Sequence, residues 1–472
     1  MIAVDAQSCC ACGGCVPACP VGSIHIIVNN RAVIAESCVG CGKCIPFCPH
    51  GALHFPEEKG DRQKPIQRWF RPPDSEYDIV VVGGGPAGST AARFAAEQGA
   101  KVLLVEKRPI VGTPQLCAEG VSHSGLADVI PEIREKWIAA PIIGAILVSP
   151  EGRKTTVQHP KAGYILERRV FDRDLFSMAA KAGARTLIAA EAIDFIKTDD
   201  HIVGVTMLCR GQSYEILCKA IICADGVESG MLSRLFPKEH LATDQIHVAS
   251  QVVMSGVEVR PGFPEFHIGR NLAPGGYAWV FPKGEAFANV GLGLNPSIGS
   301  GESSWDLLER FVERRFAGEG EIIEVASGNV PTAKRFSKIV YRNVLFIGDA
   351  GRLSDPVSGG GIASALLSGR IAGQLASEAV RAGTPEKTEI FLSRFTDLWD
   401  KLKGRQFAFY WKAKTIFAAL DDDDLEAICR VIEDRFGHGV FESIDIPGAI
   451  KSIIRERKLF WKVAKGLYPK GI

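Results

Sequence analysis

The sequence has almost no excess charge and no long apolar segment, and both absences reduce the number of functions that the protein could have. Its 472 residues include 55 Lys and Arg against 54 Asp and Glu, a formal net charge of +1. Without a field to attract a polyanion, we expect no nucleic acid partner. No apolar run approaches about 20 residues, the length of a membrane-spanning helix, and residues 1–10 lack the basic and apolar regions of a secretory signal. We therefore expect a cytoplasmic protein, free or at the membrane surface.

Cysteine, in contrast, is concentrated near the start of the chain. Nine of the 14 cysteines lie within the first 48 residues. They include two runs of the form Cys-x2-Cys-x2-Cys-x3-Cys-Pro, from Cys9 to Pro20 and from Cys38 to Pro49. Paired zinc knuckles are the alternative, but zinc sites do not use this repeated spacing. The runs are typical of bacterial ferredoxins that hold two clusters.

This resemblance implies two [4Fe–4S] clusters with crossed ligands, because the fourth cysteine of each run binds the other cluster. The implied ligands of one cluster are Cys9, Cys12, Cys15 and Cys48, and those of the other are Cys38, Cys41, Cys44 and Cys19. A domain this small has little core of its own, so we expect the clusters to supply much of its folding energy.

A second motif follows a proline-rich linker. Residues 78–82 predict a buried strand, and a turn with Gly83, Gly85 and Gly88 leads to a helix predicted over 89–98. The next strand ends at Glu106, placed for a ribose hydroxyl. Strand, glycines, helix, strand and acid in this order predict a dinucleotide site with the pyrophosphate at the helix N-terminus.

Later segments indicate that the dinucleotide is FAD. A strand precedes Gly348-Asp349, where Asp349 can hold a ribityl hydroxyl, and glycines 359–361 open a helix predicted over 363–380. The N-terminus of that helix can stabilise negative charge on a reduced flavin. Ala224-Asp225-Gly226, after a strand predicted over 220–223, is the usual midpoint of such flavoproteins.

From about Asp78 to Gly383 the chain resembles the geranylgeranyl reductases, which include the archaeal digeranylgeranylglycerophospholipid reductases. Three segments carry the resemblance: Cys117-Ala-Glu-Gly120, Arg168-Arg-Val-Phe171-Asp172 and the run from Pro274 to Pro282, which fits the family pattern PxxYxWxFP. It implies FAD contacts, beyond the three glycines, at Ala87, Glu106, Cys117, Ala118, Gly120, Arg168, Ala192, Asp349, Gly361 and Ile362. Arg168 rather than Arg169 fits the family spacing.

The resemblance implies saturation of isoprenoid double bonds, with a hydride from the flavin and a proton from a donor in a dry site. Cys117, Tyr277 and Trp279 are the candidate catalytic residues. Cys117 would donate the proton or gate the flavin, and nearby Glu119 would keep its thiol protonated. The aromatic residues would form a wall of an apolar tunnel. The alternatives are an ordinary packed cysteine and a core strand with alternating aromatics.

The electrons are expected to pass from the ferredoxin clusters to FAD. The sequence has one complete GxGxxG unit, and the nearest second candidate, Gly291-Leu-Gly293, lacks the last glycine. We therefore expect an external low-potential donor, a ferredoxin or its reductase, rather than NADPH. The alternative function is a membrane electron carrier like the electron-transfer-flavoprotein:quinone oxidoreductases, with quinone in the tunnel. A flavin halogenase or hydroxylase fits poorly with oxygen-sensitive clusters.

The predicted fold is α/β, or α+β over the whole chain: a Rossmann-type FAD-binding domain of the hydroxylase-like flavoprotein class, a β-sheet substrate domain, a small ferredoxin domain and a helical C-terminal region. The predicted divisions are 1–55 (ferredoxin), 56–76 (linker), 77–240 with 330–383 (FAD), 241–329 (isoprenoid-binding sheet) and 384–472 (helical).

The C-terminal region carries two further expectations. Phe391, Phe395, Leu398 and Leu402 recur at helical spacing, which predicts a helix that caps the substrate domain. Residues 451–470 hold seven basic residues against one acidic residue, together with aromatics, and we expect this segment to contact the membrane surface. A lipid substrate suits such a location. Residues 421–424, four aspartates, predict a solvated turn and helix start.

Overall fold

The computed structural model describes residues 2–5, 9, 13, 15–27, 31–48, 51–56, 73–114, 117–198, 201–209, 212–298 and 301–436. Cys12, most of the predicted linker and the basic segment 451–470 lie outside these residues. The strands are β1 (Ala3–Val4), β2 (Ile24–Ile27), β3 (Arg31–Ile34), β4 (Leu53–His54), β5 (Glu76–Val82), β6 (Val102–Glu106), β7 (Gly120–Ser122), β8 (Ile138–Val148), β9 (Lys154–Leu166), β10 (Arg185–Ile188), β11 (Ala190–Thr198), β12 (His201–Cys209), β13 (Gln212–Cys223), β14 (Ile246–Ser255), β15 (Glu265–His267), β16 (Tyr277–Pro282), β17 (Phe287–Leu294), β18 (Glu321–Pro331), β19 (Val340–Tyr341) and β20 (Val344–Phe346). The helices are α1 (Pro86–Glu97), α2 (His123–Ala127), α3 (Arg168–Lys181), α4 (Gly230–Leu235), α5 (Ser304–Phe316), α6 (Ile362–Val380), α7 (Pro385–Trp399), α8 (Arg405–Ala418) and α9 (Asp422–Phe436).

The first large sheet has the parallel core of a Rossmann-type fold. Its strand order is β10-β6-β5-β13-β12-β11, and β20 also pairs with β13. The pairs of β5 with β6 and β13, of β6 with β10 and of β13 with β20 are parallel. Residues 79–82 of β5 are buried on both faces, as a parallel strand covered by helices requires. This sheet confirms the predicted fold class.

The helices α1 and α6 pack side by side in the same direction on this sheet. A Cβ atom at Gly369 would overlap the Ala87 carbonyl oxygen, and one at Gly373 would overlap that of Ala91. The two backbones therefore approach as closely as glycine permits. The first helix begins at Pro86, three residues before the predicted start, because proline suits the first helical turn.

The second large sheet is mostly antiparallel, in the order β18-β14-β17-β16-β15-β8-β9-β7. One face packs on α5, whose start is fixed by a capping box between Ser303 and Asp306. Strands β7 to β9 belong to this sheet, although the sequence division assigns residues 120–166 to the FAD-binding domain. The boundary between these two domains remains a prediction.

The N-terminal module contains two small antiparallel sheets, β1 with β4 and β2 with β3. Its core consists of a few apolar side chains and the buried Cys15 and Cys44. Cysteines thus take part in the packing itself, as expected of a domain too small for an ordinary hydrophobic core.

The C-terminal helices differ from the predicted pattern. Phe395 is buried against the first sheet and Phe391 partly so, but Leu398 and Leu402 are exposed. A π-helical turn at 400–404 joins α7 to α8. Asp422 begins α9 and accepts hydrogen bonds from the Arg270 backbone and the Asn271 side chain, so this acidic turn is anchored rather than merely solvated. None of the helices within the described ranges is long and apolar enough to cross a membrane.

Candidate active site and cofactor sites

The glycine-rich turn between β5 and α1 leaves room for a ligand at one position. Gly83 has φ +103°, and a Cβ atom there would overlap the Ala224 carbonyl oxygen. A Cβ atom at Gly88 would overlap the Gly83 carbonyl oxygen, so these two glycines serve the packing of the turn. At Gly85, in contrast, a Cβ atom would meet nothing within 4 Å. The open space lies at the uncapped N-terminus of α1, where a pyrophosphate fits.

Glu106 lies beside this turn, at the end of β6. Its carboxylate accepts hydrogen bonds of 2.8 Å from the backbone N–H groups of Gly84 and Arg108. Ile188 of β10 pairs with Glu106, and Ala192 follows four residues later on β11. Ala192 is thus four residues beyond the strand partner of Glu106, although β11 lies at the other end of the strand order. Contact of Glu106 or Ala192 with a ribose or adenine remains a prediction.

Asp349 and the N-terminus of α6 form the other end of the predicted FAD site. Asp349 lies in a short helical turn after β20, and burial raises the pKa of its carboxyl while Arg168 lowers it. A Cβ atom at Gly361 would lie 3.3 Å from Asp349 Oδ1, so glycine keeps the approach to this carboxyl open. Ile362, the first residue of α6, is buried. Gly369 faces Ala87 and lies seven residues into α6, whereas Ala87 lies one residue into α1, so the N-terminus of α6 extends about 9 Å beyond that of α1.

Arg168 is a buried cation near Asp349 and Cys117. Its guanidinium makes a bidentate ion pair with Asp172, at 2.7 and 2.9 Å. Burial lowers the pKa of Arg168, but Asp172, Cys117 and Glu119 raise it above its ordinary value. Arg169 is instead half-exposed and pairs with Glu324 at 2.9 Å. The surroundings of Arg168 suit the role that the sequence spacing assigns to it.

Cys117 is held from both its side chain and its backbone. The Glu119 N–H donates to its Sγ at 3.2 Å, and its carbonyl accepts hydrogen bonds of 3.2 Å from Gln251 Nε2 and Asn289 Nδ2. Asn289 also accepts a hydrogen bond of 3.1 Å from Trp279 Nε1. Asn289 therefore connects two of the candidate catalytic residues. Sequence reasoning missed Gln251 and Asn289; the available signal was a polar residue within each apolar strand.

The Cys117 thiol is in an environment that keeps it protonated. Burial raises its pKa, Arg168 lowers it, and Glu119 and Asp172 raise it further. Glu119 makes a 2.6 Å ion pair with Lys283, which offsets much of its charge. Burial, rather than Glu119, is thus the main reason for the raised thiol pKa.

The aromatic residues of β16 form a cluster on one face of the second sheet. Tyr277, Trp279 and Phe281 alternate along the strand, with ring centroids 6.0 and 6.4 Å apart, and Ala118 packs against them. Ala278 and Val280 point the other way, into the core beneath α5. Alternation thus directs every aromatic side chain of this strand toward the Cys117 side.

The aromatic residues of β16 also contact the loop before α6 and glycines of β7 and β17. Tyr277 donates a 2.6 Å hydrogen bond to the carbonyl of Ser358, in the loop before α6, and Gly120 packs against Phe281. Gly291 lies on β17, where a Cβ atom would overlap the Trp279 ring. The second glycine pair of the sequence therefore serves this packing, not a dinucleotide turn.

A cavity of about 390 Å³ lies next to the residues that hold Cys117. Gln251 and Asn289 line it. The apolar lining residues are Pro114, Ala139, Val253, Phe287, Ile323, Val325 and Ala326. The charged lining residues are Glu119, Glu167, Arg169, Lys283 and Glu324. The cavity suits a molecule with both a polar and an apolar part.

In the N-terminal module, backbone N–H groups point at the cysteine sulfurs in a repeated way. The fourth cysteine of each run accepts a hydrogen bond from the N–H group four residues later: Ser23 to Cys19 and Ala52 to Cys48, both 3.2 Å. Ala32 N–H donates to Cys9 at 3.3 Å. Hydrogen bonds from the Ile2 and Gly40 backbones lower the pKa of Cys38. Hydrogen bonds to sulfur are among the contacts by which proteins tune iron–sulfur clusters.

Cys44 lies near cysteines of both runs. Burial raises the pKa of its thiol, and Cys19, Cys38 and Cys41 lie near enough to raise it further. These are the four residues assigned to one cluster. Within the described ranges, no group of three or more potential ligands is arranged as a metal site, and Cys12 lies outside them. The donor chemistry fits an iron–sulfur module.

Comparison with known proteins gives a consistent family assignment. Family models match residues 1–64 (4Fe-4S dicluster domain), 78–235 (FAD dependent oxidoreductase) and 245–330 (geranylgeranyl reductase catalytic domain). Two relatives are named digeranylgeranylglycerophospholipid reductase. The one from Methanocella arvoryzae is 37% identical over 83% of this chain and 99% of its own length, and the one from Methanothrix thermoacetophila is 38% identical over 82% and 98%.

Solved structures agree with this assignment. A geranylgeranyl bacteriochlorophyll reductase-like protein from Thermoplasma acidophilum matches with a TM-score of 0.77 and 33% identity, over 83% of this chain and 99% of that one. Flavin-dependent halogenases match at 15–19% identity with TM-scores of 0.55–0.60, and they share the fold alone. The chain is an FAD-dependent oxidoreductase with an iron–sulfur ferredoxin module, and it belongs to the geranylgeranyl reductase family.

Proposed function

We propose that this protein saturates the carbon–carbon double bonds of geranylgeranyl chains on archaeal-type ether phospholipids, with electrons delivered through its ferredoxin module. The names of its relatives support this substrate class. The observation that carries the proposal is the Cys117 thiol. It retains its proton beside an aromatic strand and a cavity with an apolar wall.

The residues around Cys117 provide what the reduction of an isolated double bond needs. Such a bond has no carbonyl to polarise, so hydride and proton must arrive together in a dry site. When bound, FAD supplies the hydride and the iron–sulfur clusters supply single electrons. Cys117 holds the proton at Sγ, Gln251 and Asn289 fix its backbone, and Tyr277 and Trp279 exclude water.

The proposed FAD contacts fall into two groups. Gly83, Gly85, Ala87 and Gly88, with Glu106 and Ala192, would hold the adenosine and pyrophosphate end. The flavin end would be held by Cys117, Ala118, Gly120, Arg168, Asp349, Gly361 and Ile362. Arg168 is the fixed cation of the second group, and its influence on the pKa values of both Cys117 and Asp349 supports placing them around one ligand.

Two [4Fe–4S] clusters are proposed for the N-terminal module, with the crossed ligand sets given above. The proximity of Cys19 to Cys44 supports the crossing, since these residues belong to different runs. We propose an external low-potential donor, a ferredoxin or its reductase, and a peripheral location at the cytoplasmic membrane surface, where the lipid substrate resides.

The test is an anaerobic assay with a digeranylgeranyl phospholipid in detergent. Reduced ferredoxin or dithionite should drive the gain of two hydrogens per double bond, measured by mass spectrometry, and NADPH should drive little. A quinone analogue in place of the lipid is the control for the electron-carrier alternative. Rapid quinone reduction with no lipid saturation would overturn the proposed function.

A further inference from the structure

The outward side of α8, continued back into the π-helical turn at 400–404, combines exposed apolar and basic side chains. Leu402, at the start of this side, is 55% exposed and Phe409 is 41% exposed. Lys401, Arg405 and Lys412 are exposed on the same side. Between residues 401 and 420 the sequence contains five basic residues and no acidic one. We call the five residues named here the α8 face.

The opposite side of the helix is fixed to the rest of the protein. Lys414 is buried, and its ammonium donates to the carbonyls of Asp244 and Thr332 at 2.8 and 2.7 Å and to the Thr332 hydroxyl at 2.8 Å. Phe407 packs on the hydrophobic core of the first sheet and on the Trp399 ring. The helix is therefore anchored from within, and its exposed side is a surface of the folded protein.

The three cations of the α8 face have no acidic partner in the part of the chain that the structure describes. Asp400, the nearest acid in sequence, is held by Arg335 in a bidentate pair at 3.0 and 2.9 Å. An uncompensated basic patch around exposed apolar side chains is the composition of interfacial membrane helices. It attracts anionic headgroups, while the apolar residues enter the acyl boundary.

Other occupants of this face match its charge poorly. The C-terminal segment 451–470 has seven basic residues against one acidic residue, and a second copy of α8 would bring the same positive charge. Residues 1–55 contain two acidic and two basic residues and so offer no complementary field. An anionic bilayer complements both the charge and the apolar residues.

We propose that the α8 face binds the protein to a bilayer surface that carries anionic lipids. This proposal rests on the proposed function in one respect: binding to the bilayer would bring the active site to its lipid substrate. It assigns the contact to a folded helix, whereas the sequence pattern predicts contact by the last twenty residues.

The test is co-sedimentation of the full-length protein with vesicles of phosphatidylcholine, alone or mixed with phosphatidylglycerol. Wild type should bind the mixed vesicles in a salt-sensitive way and bind the neutral ones weakly. The triple variant Lys401→Glu, Arg405→Glu, Lys412→Glu should lose at least about tenfold in partitioning. Leu402→Ser with Phe409→Ser should weaken binding with the charge unchanged.

The matched control reverses three exposed lysines elsewhere: Lys154→Glu, Lys161→Glu and Lys181→Glu. It changes the net charge equally and should bind nearly as wild type does. Equal binding by wild type and the α8 triple variant, or equal losses in both triple variants, would overturn the proposal. Saturation of detergent-dispersed lipid should be unaffected by the α8 changes, so failure of the proposed function would show separately in that assay.

Discussion

Cys117 is the proposed proton donor, and burial raises its pKa so that the proton stays on sulfur through neutral pH. Its Sγ accepts the Glu119 N–H, and Arg168 is the nearby cation that limits the rise. We expect Cys117→Ser to retain FAD, measured by its visible absorbance, and to lose about 10²–10⁴ of the turnover. Wild-type activity should persist above the ordinary thiol pKa before it falls. Full activity of the serine variant with an unchanged pH profile would return Cys117 to a packing role.

Individual residues also show what sequence reasoning can find and what it misses. The turn glycines could be predicted from the sequence because a turn depends on neighbouring residues only, and each position requires glycine for a conformational or packing reason. The role of Asn289 could not be predicted from the sequence, because it arises only when β17 pairs with β16 and places Asn289 between Trp279 and the Cys117 carbonyl. Its value depends on tertiary pairing, which no spacing rule encodes. Lys283, the partner of Glu119, was missed for the same reason.

At the scale of elements, errors in the predicted bounds have local causes. The strand predicted over 220–223 extends back to Gln212, because its first half pairs antiparallel with β12 while its second half pairs with β5 and β20. The pattern of Phe391 and Phe395 continues in spacing to Leu402, but only the first part of that stripe faces the core. Periodicity identifies a helix face and does not say what covers it.

The short strand β15 depends on a buried ion cluster. Glu265 accepts hydrogen bonds from His267 at 2.8 Å and from Arg315 of α5 at 2.7 and 3.0 Å. Burial raises the pKa of Glu265, but the hydrogen bonds and positive charge of His267 and Arg315 lower it by more, so that the net pKa is about 2. Because the folded pKa lies below the ordinary value of 4.5, this stabilisation is complete above pH 4.5 and is lost as the pH falls toward 2.

We therefore expect Glu265→Gln to lower the midpoint of thermal unfolding at pH 7, since removing one partner of a buried pair costs about 3–5 kcal/mol. The midpoint of the variant should also fall less steeply than that of wild type below pH 4.5. Glu302→Gln, in the exposed pair with Arg310, is the control and should change little. Parallel pH curves for wild type and Glu265→Gln would contradict the assignment.

The crossed ligand set predicts how much iron the ferredoxin module loses when one cysteine is replaced. Wild-type protein purified without oxygen should contain about eight iron atoms per FAD. Cys41→Ser should lose the cluster assigned to Cys19, Cys38 and Cys44 and about half of the iron, with FAD still bound. Cys218→Ala, at a buried cysteine of β13, should retain all the iron. Zinc in the purified protein without iron–sulfur absorbance would rule out the two-cluster interpretation.

At the scale of the whole molecule, the strand pairing separates the electron-delivering module from the flavoprotein. Strands β1 to β4 pair only with one another among the described residues, and the first sheet begins at β5. A chain cut just before Asp74 would keep the Asp74–Lys101 ion pair at 3.0 Å and the 2.9 Å hydrogen bond from Leu217 to Ser75 that fix the start of this sheet.

We expect this truncated protein to fold and bind FAD but to lose saturation of a geranylgeranyl lipid driven by reduced ferredoxin. The physical reason is that the clusters take electrons singly, and without them the donor has no route to the flavin. Full-length protein carrying Cys41→Ser is the matched comparison, because it retains the module but lacks one cluster and should also lose most of this activity. NADPH oxidation by the truncated protein, coupled to saturated lipid, would mean that the module is dispensable and that the electrons enter elsewhere.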